Sequence, residues 1–192
     1  MERISYYHWF TLADQYLRTS KLIMEQIKNC KNKWFMIEDK PIEWDAYFEA
    51  TKWSDFNTFV PSLFLLEHGI ELLLKGIYVW AGNEIIENHK LNDILFTLKK
   101  DERISEKFFQ ILDNYIGDNP KNKMIKEFTK MNKHLATNNL HVALRYPEKH
   151  GTETDFAPFR YKEEALLNDI DAITSDIDMI IALTVQLVDN SG

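Results

Sequence analysis

Glu71 and Lys75 stand four residues apart in the run FLLEHGIELLLKGIYVWAG at positions 64–82. On a helix that spacing brings carboxylate and ammonium together on one face. An exposed pair of this kind is worth only ~0.2–0.5 kcal/mol. Its first reading is therefore structural. If half-buried, the same pair can orient Arg145 or His89 instead. His89, just before Leu91, reads as the start of the next helix, its side chain packing back on the preceding hairpin.

His134, His141, Glu148 and His150 are residue types that ligate zinc. However, His134 and His141 lie seven apart with Asn138-Asn139 between them, and no HExxH-like pair occurs. The expectation is no metal and no cofactor. Cys30, in the stretch KNCKNK, has no evident base beside it and reads as an ordinary thiol. As the single cysteine it cannot form an internal disulfide, which fits a reducing cytoplasm. Neither a glycine-rich phosphate loop nor a GxSxG elbow is found.

Aromatic residues crowd the segment before residue 61: Trp34, Phe35, Trp44, Tyr47, Phe48, Trp53, Phe56 and Phe59. Core packing is the default reading of such density. A partner surface, or a stacking platform for bases or another planar ligand, is the alternative.

These groups have to be held by helices. A chain of 192 residues with 45% hydrophobic residues is long enough to bury one core, and only six Gly and five Pro leave few tight turns for an all-β fold. Apolar positions Phe10, Ala13, Leu17, Ile23, Met24 and Ile27 recur at helical spacing. Thr58 is the expected N-cap of a helix reaching Ala81. Its buried face would be Leu63, Leu66, Ile70, Leu73, Leu74, Ile77 and Trp80, with Gly82 as the stop.

Shorter helices are expected around Leu91–Leu98, around Ile104–Tyr115 ending at Gly117, and around Met124–Leu135. An irregular stretch follows. The last helix is predicted from about 161 to 188, with apolar positions 166, 170, 173, 177, 180 and 187 close to a heptad seam. That helix is either central or paired with a second copy of itself. With no repeat or linker, residues 1–192 read as one all-α domain.

The net charge of −7 gives no bulk attraction for nucleic acid, whose binding rests on phosphate neutralisation. The apolar stretch 63–81 carries Glu67, His68, Glu71 and Lys75, and 177–188 is shorter than the ~20 residues a bilayer needs. A cytoplasmic protein without a membrane segment is expected.

The run at 64–82 followed by HKLNDIL, with LRYP at 144–147, resembles the central hairpin of HEPN domains. The resemblance covers residues 58–150. It implies an up-and-down bundle of about five to seven helices that commonly forms homodimers. Many HEPN proteins are metal-independent ribonucleases marked by Arg, four to six residues, then His, and Arg145 and His150 match that spacing. In that reading Arg145 holds the scissile phosphate and His150 moves the proton of the attacking hydroxyl or leaving oxygen.

The chain departs from the family pattern in three places. Tyr146 stands where active members carry a small polar residue. Pro147 disfavours helix where the motif is normally helical. Thr152 stands where nucleotide-silenced toxins have Tyr. Arg3 and His8 share the same spacing outside the expected place.

The first functional expectation is a non-catalytic, dimeric HEPN-like interaction module. Its partner would be a nucleotidyltransferase-like protein in a toxin–antitoxin or defence setting. The alternatives are an endoribonuclease acting on RNA through Arg145 and His150, and a binder of nucleotides or small ligands.

Overall fold

The computed structural model describes residues 6–84, 91–117, 119–133, 140–145, 148–149 and 152–189. In chain order the helices are α1 (Tyr6–Asn29), α2 (Trp44–Thr51), α3 (Val60–Trp80), α4 (Leu91–Leu98), α5 (Glu106–Leu112), α6 (Lys123–Met131), the single turn α7 (Leu140–Ala143) and α8 (Glu163–Asp189). Strands β1 (Glu148–Lys149) and β2 (Thr152–Glu153) form a short antiparallel pair in which Lys149 faces Thr152. The protein is an all-α bundle.

α3 is its axis. Every residue from 69 to 77 is buried, so this helix has no wet face in its middle. The sequence pattern led to an amphipathic helix here, with the last helix as the candidate for the centre. The roles are the reverse. α8 buries Leu166, Ile170, Ile173, Ile177, Ile180, Thr184 and Leu187 along one seam and leaves its other side to solvent. Each fully buried Leu or Ile contributes about 1.5–3 kcal/mol. The core is one continuous cluster drawing on α1, α3–α8 and the segment around Phe159.

Two glycines let α1 lie close on α3. A Cβ at Gly69 would stand 2.9 Å from Leu17 Cγ, and one at Gly76 would stand 2.8 Å from the Phe10 ring. Seven residues apart, both occupy the same side of α3. Across the same contact the Ser20 hydroxyl donates to the Ser62 carbonyl at 2.7 Å. α8 is tied to α1 at its edge, where Lys21 Nζ meets Asp178 at 2.6 Å.

Thr58 does not cap α3. Residues Asp55–Phe59 already form a wider π turn that runs straight into Val60, and the Thr58 hydroxyl donates within it to the Ser54 carbonyl. The chain enters α3 in helical conformation, so no side-chain cap is needed. Gly82 does end the segment, at φ +93°, with its N–H donating to the Val79 carbonyl. Trp80 is only partly buried, under the Arg103 guanidinium, whose carbon lies 4.3 Å from the ring centre. Among the shorter helices, α5 stops at Leu112 and the chain turns through Tyr115 to Gly117, while Met131 is exposed at the end of α6. Leu135 lies outside the described residues.

Among the described residues no helix is long and apolar enough to cross a membrane.

Candidate functional site

Five side chains form a stripe along α3: Phe64, Glu67, His68, Glu71 and Lys75. They repeat at helical spacing on a helix that is otherwise apolar. Glu71 and Lys75 are far from the exposed pair their spacing suggested. Glu71 is 1% exposed, and its Oε1 accepts from Lys75 Nζ at 2.8 Å. Such a buried pair matters less for net stability than for what breaking it does. Removing one partner strands a desolvated charge, typically at 3–5 kcal/mol.

One turn earlier, His68 Nδ1 lies 3.6 Å from Glu71 Oε2, beyond hydrogen-bond length. The imidazole is clasped by rings. Tyr16 of α1 meets it edge-on at 4.7 Å, and Phe64 stacks parallel to it at 5.9 Å. Burial holds its pKa below the ordinary histidine value. Glu71 pulls it up, while the positive charges of Arg145 and Lys75 push it down.

Arg145 reaches the same place from beyond α7. Its guanidinium carbon lies 5.0 Å from the centre of the Phe64 ring, a cation–π contact. Among the described residues no carboxylate comes within ion-pair distance of it. The described structure thus brings Glu71, Lys75, His68 and Arg145 to one corner, two basic side chains and one carboxylate around an imidazole. Such a corner can hold an oxyanion against Arg145.

His150, His89 and His134 lie outside the described residues. α7 ends at Ala143, and Arg145 is followed by β1, so Arg145 and β1 do not continue one helix. Glu148 is exposed on β1. Among the described residues no three of His, Cys, Asp and Glu stand close enough to hold a metal ion. Cys30 is exposed with a free thiol.

Sequence reasoning passed over His68, yet the signal was present. In a run as apolar as 69–77, charged neighbours at positions 67, 68, 71 and 75 cannot all reach water. Glu67 is the extreme case. It is fully buried, its Oε1 lacks a hydrogen-bond partner, and burial pushes its pKa up to about 8. Nearby, the buried Tyr115 hydroxyl donates to Asp176 Oδ2 at 2.8 Å, and burial first and Asp176 second raise its pKa.

The aromatic segment also departs from its default reading. Phe59 is core, stacked edge-on to Phe159. Phe35, Trp44 and Phe48 are exposed, because residues 33–50 run outside the bundle and reach no core position, and Phe56 is exposed on the turn that leads into α3.

No protein-family model, no curated protein and no solved structure matches this chain.

Proposed function

We propose that this protein is a non-catalytic, dimeric HEPN-like interaction module. The surroundings of Arg145 carry this reading. The guanidinium lies against Phe64, and the chain beyond α7 passes into β1 instead of extending a helix. A ribonuclease of the kind the resemblance implies needs Arg145 and His150 presented together to one phosphate. Tyr146 and Pro147 between them, and a net charge of −7, favour a binding role. The partner in this reading is a protein such as a nucleotidyltransferase-like neighbour.

A second reading rests on a different observation, the cationic corner itself. Arg145 stands close enough to His68 to lower its pKa. Metal-independent RNA cleavage through Arg145, with His150 or His68 moving the proton, is the activity such a corner serves.

Incubating the purified protein with single-stranded RNA, with and without EDTA, tests both. The first reading expects intact RNA in every lane. EDTA-resistant cleavage that disappears in Arg145→Ala and in either His150→Ala or His68→Ala overturns it.

A further inference from the structure

α2 is an anomaly in a bundle. Eight residues long, it buries only Thr51, has no side-chain cap, and lies along no other helix. A helix this short is marginal in water without tertiary packing. Yet three of its residues are aromatic, and two of them face solvent: Trp44 is 74% exposed and Phe48 52%. Trp44 stacks on Tyr47 at 5.9 Å, and the Tyr47 hydroxyl points at the Trp34 carbonyl, 3.5 Å away. Trp34 in turn meets Tyr161 edge-on at 5.0 Å, and Tyr161 packs on Phe56 at 5.5 Å. Two aromatic pairs, Trp44–Tyr47 on α2 and Trp34–Tyr161 before α8, are thus linked through the Tyr47 hydroxyl and the Trp34 backbone.

Its base is held firmly. Asp55 is fully buried, and its Oδ2 accepts from Asn32 Nδ2 at 3.1 Å and from the Lys162 N–H at 2.8 Å. Its own N–H donates to Asn32 Oδ1 at 2.7 Å. Among the described residues, the non-glycine residues at positive φ are Lys31, Asn32 and Tyr161, all in this frame. Strain of this kind persists where surrounding structure over-determines it, and it gathers at binding sites. One aromatic already holds a cation: the Arg160 guanidinium lies over Phe56 at 4.8 Å.

We propose that this surface, centred on Trp44 and Phe48, docks a segment of another protein that carries Lys or Arg beside apolar anchors. Charge identifies the occupant. In the segment 38–49 that carries Trp44 and Phe48, the side chains of Glu38, Asp39, Glu43, Asp45 and Glu49 are all exposed, against Lys40 and a Lys52 already paired to Glu49. Exposed rings on an acidic segment attract cations through the ring quadrupole and through Coulomb steering. A second copy on a two-fold axis through α2 would set Glu43 and Asp45 against their own equivalents, which costs energy. The proposal rests on the interaction-module reading and names its partner's chemistry.

Display of short random peptides, selected on the immobilised full chain and counter-selected on a Trp44→Ala/Phe48→Ala variant, tests it. Neither side chain reaches the core, and circular dichroism of the variant checks that it folds. The expected result is enrichment of Lys/Arg peptides with apolar anchors. Their affinity should fall roughly tenfold or more in the double variant and with added salt. Enrichment of acidic or uncharged peptides, no selective enrichment, or a wild-type dimer that the double variant dissociates overturns the proposal. RNA cleavage by the same preparation refutes the interaction-module reading separately, so the two failures are distinguishable.

Discussion

In the middle of α3 the carboxyl of Glu67 is fully buried, with a pKa raised by burial from near 4.5 to about 8. The folded chain therefore keeps a proton there that the unfolded chain gives up. Between those two values the unfolded state binds fewer protons, so stability falls as pH rises. Below the lower value both states are protonated and the slope vanishes. Above about pH 8 both are ionised and the penalty is complete. Denaturant unfolding of the wild type from pH 5 to pH 8 should show a loss approaching 1.4 kcal/mol per pH unit from this residue. Glu67→Gln, of the same size and always neutral, should flatten that slope. Parallel pH profiles for the two proteins would show that Glu67 ionises freely in the fold. The sequence marks Glu71 and Lys75 as a pair but leaves open whether it is exposed or half-buried. Periodicity reports which residues share a face, not how many neighbours cover it.

Among the elements, the heptad seam of α8 was legible residue by residue, because a helix covered on one side shows its contact face directly in the pattern. α3 was less legible, since a helix covered on all sides has no face to contrast. α2 was read as aromatic and therefore core, yet burial depends on where the chain passes, which composition does not encode. The glycines of α3 carried a signal that went unread: Gly69 and Gly76 sit where α1 approaches most closely. Alanine at a helix interior normally gains about 1 kcal/mol over glycine. Here the added methyl meets Phe10 and Trp9 Cβ within 2.9 Å, or Leu17 including its backbone N at 3.2 Å. Overpacking typically costs about 1–3 kcal/mol, so Gly76→Ala and Gly69→Ala should each lower the midpoint of denaturant unfolding. Gly82→Ala, in open space at φ +93°, is the control in which conformational strain alone acts. A raised midpoint for Gly76→Ala would mean that α1 shifts to make room and that the crossing is loose.

At the scale of the molecule, the bundle leaves an apolar groove of about 290 Å³ between α1, α3 and α8, lined by Phe10, Leu17, Leu73, Ile181 and Val185. Val185 is 54% exposed at its rim, and Tyr7, Leu12 and Leu22 are exposed on α1. A second copy laid on this groove would cover surface that α8 alone cannot, and this is the face on which the proposed dimer is tested. It leaves the aromatic surface of α2 open for a different partner. Sedimentation of the wild type at micromolar concentration should then show a dimer. Val185→Glu places a charge at the groove rim without touching the monomer's core, so it should yield a folded monomer of unchanged helicity. Trp44→Ala/Phe48→Ala should leave the dimer intact. A wild type that sediments only as monomer removes the dimer from the reading. A dimer that survives Val185→Glu but fails in the α2 variant moves the self-association to the aromatic face, and with it the face available to any other protein.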